Sequence, residues 1–205
     1  MDREIIIQVI VRAEWNQFQK VQNEGGRASC QDDWETFEIM RKSQFQIWPD
    51  ALLESYMEDL RSADECGWNL VLEKYMRMMA STAPRQYREF EPILPVRSAK
   101  RLAKTQEVVA VGVRWAEAFA RQYPDLGAAS RVIHTSEDGP WDTSYETYLR
   151  GELLTYSDET FRLYCEMVEE YCEAGRSMTT ETMELLVKMY GYESLEAAEK
   201  KNTST

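Results

Sequence analysis

Three charged side chains stand where a helical period calls for an apolar one, and any fold for this chain must find them partners. On the first amphipathic stretch Ile7, Val11, Glu14, Phe18 and Val21 recur at helical spacing. On the second, Trp34, Phe37, Arg41, Gln44, Phe45 and Trp48 share a face, and on a later one Tyr145, Tyr148, Leu149, Glu152 and Tyr156 do so. A lone buried charge is very costly. If the two halves of the chain are copies, these helices pair, and Arg41 and Glu152 are expected to form a buried pair. Glu14 has two readings: it sits at the edge of a wide apolar face, or it is a buried acid held by a partner.

The chain reads as helices almost throughout. The first runs from about Asp2 to Asn23, and Gly25 with Gly26 stops it. Ser29 with Asp32 resembles a capping pair, and the second helix ends at Trp48 because the residue before Pro49 avoids the helical region. Asp50 caps a third helix ending at Gly67, and Asn69 caps a fourth with Tyr75, Met76 and Met79 inward. Pro84, Pro92 and Pro95 then break the pattern. Residues 83–97 therefore read as a linker between a first helical half, 1–82, and a second, 98–201. Ser98 opens a long fifth helix to Tyr123, and a polar loop through Pro140 to Thr143 leads into the sixth, which carries Glu152. Asp158 caps the seventh, ending at Gly175, and Thr179 or Thr180 caps the eighth, closed at Gly191. A short helix after Ser194 and a disordered polar tail, 202–205, finish the chain.

The halves read as copies. Trp34-Glu-Thr-Phe37 answers Tyr145-Glu-Thr-Tyr148, Arg27-x-x-Cys30 answers Arg131-x-x-His134, and Asp50 to Leu70 aligns without a gap on Asp158 to Met178. Capping rules alone place Asp at helix starts and Gly at helix ends, but they do not require the matched aromatic segments. The expected fold is all-α: two similar four-helix halves, from an internal duplication, packed as one helical domain.

Composition narrows the functions. With 36 acidic against 24 basic residues and a net charge of −12, nothing here would neutralise phosphates, which argues against nucleic acid and anionic membranes. Gln8 interrupts the apolar run from Ile5 to Val11, which fits neither a signal peptide nor a membrane span, so a cytoplasmic protein is expected. Cys30, Cys66, Cys165 and Cys172 form no Cys-x-x-Cys pair and are expected as free thiols.

The two loops hold the chemistry. His134 is the single histidine, the one side chain that ordinarily titrates near neutrality. If the halves are copies, Cys30 is its counterpart, and the loops face each other. A Cys30 thiolate activated by His134 would suit acyl or similar group transfer; a buried Cys30 and a histidine satisfied in its loop is the simpler reading. A di-iron bundle needs a Glu-x-x-His on each of two helices, which one histidine cannot supply. A hard cation such as Mg²⁺ could be held by Asp33, Glu137, Asp138 or Glu152, whereas zinc finds no ligand spacing.

Four stretches carry a resemblance: Gly-Gly-Arg-Ala-Ser-Cys-Gln-Asp-Asp-Trp-Glu-Thr-Phe at 25–37, Met-Arg-Lys-Ser-Gln-Phe at 40–45, His-Thr-Ser-Glu-Asp at 134–138 and Thr-Tyr-Leu-Arg-Gly-Glu-Leu at 147–153. Through them nearly the whole chain resembles an uncharacterised bacterial all-helical family, a domain of unknown function. The resemblance implies a cytoplasmic helical protein of anaerobic or gut-type bacteria, with a nucleotidyltransferase-like partner in some relatives. It implies no activity.

The leading expectation is a small-molecule enzyme with a polar pocket between the halves. His134 would move protons, assisted by Cys30, Glu14 and Glu152 would be buried acid or base, and Arg27, Arg41 and Arg131 would hold an anionic group beside Asp33, Glu137 and Asp138. The rival is a non-catalytic module that binds a ligand or a protein, its charges merely paired.

Overall fold

Each apolar stripe closes on its neighbours through local capping. The structure, a computed structural model, describes residues 2–22, 26–139 and 142–202. Gly25, Asn23, Pro140 and residues 203–205 of the expected tail lie outside the described residues. Eleven α-helices and no strand occur among those described: α1 Arg3–Gln19, α2 Trp34–Phe45, α3 Asp50–Glu65, α4 Leu70–Thr82, α5 Pro84–Phe90, α6 Ala99–Gln122, α7 Pro124–Ala128, α8 Tyr145–Leu153, α9 Asp158–Glu173, α10 Met178–Met189 and α11 Leu195–Asn202.

Serine does much of the capping that the sequence assigns to Asp and Thr. Ser157 Oγ accepts the Thr160 N–H at the start of α9, so Asp158 is already helical and faces Arg101 instead. Ser177 caps α10 by accepting from Thr180 N–H, in place of Thr179 or Thr180. At α3 the cap position belongs to Pro49, and Asp50 turns to Arg3.

Three helices also end earlier than the periodicity predicts, because side chains take their last carbonyls. Buried Gln31 donates to Phe18 O and Val21 O, which closes α1 at Gln19. α2 stops at Phe45, with Arg3 Nη2 donating to the carbonyls of Gln46 and Trp48 before Pro49. Past Leu153, Arg101 donates to the carbonyls of Leu153 and Tyr156, and Arg97 to that of Leu154, so α8 cannot continue to Tyr156.

One core joins both halves. Ile7, Ile10, Phe45, Trp48, Leu52 and Tyr56 from the first pack with Val109, Leu153, Tyr156 and Tyr164 from the second. The packing is reciprocal: α4 lies on α8 and α10 on α2, while α3 meets α9. α4 and α8 are close enough that a Cβ at Gly151 would fall 2.9 Å from Met78 Cγ and 3.1 Å from Lys74 O. That contact explains why a glycine interrupts α8. The inward face of α4 differs from expectation: Leu70, Lys74, Met76 and Met78 are buried, and Tyr75 and Met79 are half-buried. The proline stretch is itself structured, since Pro84 sits in the first turn of α5 and a 3-10 turn, Glu91–Ile93, follows.

Candidate functional site

At the junction the three misplaced charges meet, with a fourth. Arg41 on α2 grips Glu14 on α1 with two bonds, Nε to Oε2 at 2.7 Å and Nη2 to Oε1 at 2.6 Å. The same Nη2 reaches Glu152 Oε1 on α8 at 3.2 Å, the pair expected from reading the halves as copies. Lys74 on α4 approaches Glu152 Oε2 at 3.5 Å and donates to Tyr148 Oη at 2.7 Å. Tyr56 also donates to Glu14 Oε1, and Tyr156 and Gln44 donate to Glu152 Oε1. Glu14 is 2 % exposed, so it is buried and fully partnered, and the edge reading is set aside. Two carboxylates and two cations make the cluster neutral.

Burial and pairing oppose each other here, and pairing wins. Burial alone would raise the Glu152 carboxyl, but Arg41 and then Lys74 more than offset it and hold it near 2. Burial would lower Arg41, yet Glu14 and Glu152 keep it well above its ordinary value. The Tyr56 and Tyr156 phenols are pushed up, first by burial and then by the nearby carboxylates.

The loops are pinned by the polar residues that might have met a ligand. Arg27 binds Asp32, Gln19 and Gln31 O, and Asp33 caps α2 by accepting from Thr36 N–H. Asp138 accepts from the hydroxyls of Ser81 and Thr147 and from Ser144 N–H. Burial would raise that carboxyl, and the three bonds keep it below its ordinary value. Glu137 accepts from His134 N–H, while the ring Nε2 of His134 lies 3.2 Å from Glu117 Oε1 on α6. His134 makes no hydrogen bond to the exposed Cys30 among the described residues, so the ring's partner is Glu117 and not the thiol. Nor do three His, Cys, Asp or Glu side chains gather as metal ligands among the described residues, because Asp33, Asp138 and Glu152 are each turned to other partners.

Tyr75 on α4 lies beside the tetrad, its ring centre 5.6 Å from Lys74 Nζ. Burial first, with further help from Tyr148 and Cys30, pushes that phenol up to about 12. Arg131 stacks on the Tyr148 ring at 4.9 Å, and Lys74 lies 4.3 Å from the same ring. Two surface clefts lie elsewhere, one of about 700 Å³ beside Tyr171 and Thr180 and one of about 520 Å³ beside Ile5 and Trp34. Neither is lined by a candidate residue.

Sequence reasoning missed Lys74 and Gln31. Lys74 carried the same signal as Arg41, a charge at i+4 from Leu70 and i−4 from Met78 on a buried stripe. Gln31 carried none, since a loop glutamine has no period to violate.

Fold and centre together define an all-helical protein with one shared core, held at its middle by a sealed, neutral ion tetrad. The chain belongs to the family described as protein of unknown function (DUF4125), whose model matches residues 4–200. No match was found among curated proteins or among solved structures. Among the described residues no helix is long and apolar enough to cross a membrane.

Proposed function

We propose that this chain is a non-catalytic binding module that takes a small anionic ligand on the junction face formed by Tyr75, Tyr148 and Arg131, above Lys74. One observation carries the reading: Arg131 from the second loop, itself exposed, lies over the Tyr148 ring at 4.9 Å, on the ring that Lys74 approaches at 4.3 Å. The Arg131 guanidinium and aromatic faces at one spot suit an anion attached to a planar group. The tetrad is a poor acid or base by comparison. Glu152, held near 2, stays ionised at any ordinary pH, whereas proton transfer needs a group poised near the working pH.

A small-molecule enzyme is the second reading, and Cys30 favours it as an exposed thiol in the first loop. Duplication of a four-helix unit belongs to the same proposal. Its support is the reciprocal packing of α4 on α8 and α10 on α2, with left-handed Gly67 and Gly175 closing α3 and α9 alike. Cytoplasmic residence and a nucleotidyltransferase-like partner are proposals that rest on the sequence resemblance alone.

A thermal-shift screen with phosphorylated and carboxylated metabolites, run on wild type, Arg131→Ala and Cys30→Ser, tests this. An anionic hit should raise the melting temperature of wild type and of Cys30→Ser but not of Arg131→Ala. If no anion stabilises wild type, the binding reading fails. Turnover of a hit that disappears with Cys30→Ser would favour the enzyme.

A further inference from the structure

The stretch between α4 and α6 has a composition unlike the rest of the chain. Residues 84–104 hold six basic residues and two acids, so the remaining sequence carries a net charge of −16. Of these cations, Arg85, Arg88 and Lys100 make no bond to a carboxylate among the described residues. Beside them Ile93, Val96 and Leu102 are exposed, Val96 at 94 % and Ile93 at 59 %. Single exposed apolar residues are ordinary, but three within ten positions are not scattered.

The backbone beneath these side chains is held firmly. Leu94 is buried, Arg77 donates to Pro95 O at 2.8 Å, and Arg97 donates to Leu154 O at 2.9 Å. Ile93 and Val96 are therefore presented by an anchored strap, and a partner docking there loses little chain entropy. Consecutive Cα atoms are ~3.8 Å apart, so the backbone of Lys100 lies within about 15 Å of that of Val96. The helical rise brings Arg88 within about 10 Å of Ile93.

We infer that this strap is a docking surface for an acidic protein segment that carries large apolar side chains. Three occupants compete, and charge separates them. An anionic bilayer would meet the whole molecule, whose other parts repel it, whereas a narrow peptide feels mainly charges within a Debye length of ~8 Å. A second copy joined by a two-fold axis would set the strap's own cations against each other. An acidic, apolar segment matches both features of the surface and meets only Glu89 and Glu91 against the exposed Arg85, Arg88 and Lys100.

Selection from a display library of short random peptides tests the inference, with the full chain and its Val96→Asp variant run in parallel. Wild type should enrich peptides that combine acidic and large apolar residues. Their affinity, read by fluorescence anisotropy, should fall about tenfold for Val96→Asp and again for Arg88→Glu with Lys100→Glu, and should weaken with salt. These side chains are exposed, so circular dichroism and melting should not change. Enriched peptides with no acidic excess, equal binding to the variants, or no enrichment would each overturn the inference. So would vesicle binding rich in phosphatidylserine, or self-association in sedimentation, if either vanished in the same variants.

Discussion

Arg41 and Arg61 each stand between two glutamates, yet the two trios are built in opposite ways. Arg61 meets Glu58 and Glu65 from its own helix, one turn away on either side, with all three side chains more than half exposed. Arg162 repeats that arrangement with Glu159 and Glu166 on α9. Arg41 meets Glu14 and Glu152 from two other helices, in the interior, with every contact under a tenth exposed. An exposed trio forms wherever its helix forms and gives that helix little, because water and salt screen it. The buried trio forms only when α1, α2 and α8 are docked, so it reports on the whole arrangement. Identical charges therefore stabilise a helix in one place and select a tertiary structure in the other.

Arg41→Met should break the buried trio hardest. It leaves Glu14 and Glu152 facing each other without their shared cation, and a loss of about 3–5 kcal/mol in urea unfolding is expected. A loss under about 1 kcal/mol, the size of a surface pair, would erase the contrast. Acid sharpens it next. Glu152 is held near 2 in the folded chain, below its unfolded value of about 4.3, so its contribution is complete above that value and disappears as pH falls through it towards 2. The loss is on the order of 3 kcal/mol, and Glu152→Gln should flatten that limb of the stability profile. The smallest effect belongs to Arg61→Ala: at high salt its melting curve should overlay that of wild type, and a clear drop would show that exposed trios matter more than their setting allows.

Much of the framework was legible from residue spacing. The stripes placed the helices, the two charges breaking two periods called for buried partners, reading the halves as copies named Arg41 and Glu152 as each other's, and Gly67, Gly175 and Gly191 mark helix ends with positive φ. Helix starts were less legible, because Ser157 and Ser177 precede an Asp and a Thr with equal claim as caps, and only backbone geometry decides. The partner of Glu14 was hidden for a different reason. Its bonds to Arg41 span 27 residues and to Tyr56 span 42, and no local period encodes which helices will meet. The loops misled because their density of polar residues reads as chemistry, while Asp138, Glu137 and Arg27 mostly hold the loops in place.

The tetrad is divided unequally along the chain: Glu14, Arg41 and Lys74 come from the first half and only Glu152 from the second. Neither half is neutral at its centre alone. The first would keep an excess cation and the second a bare carboxylate, each facing a surface that its partner should cover. Arg41 on α2 and Glu152 on α8 are opposite in sign and meet across the junction, so the two halves fit each other as a left hand fits a right and neither could take the other's place.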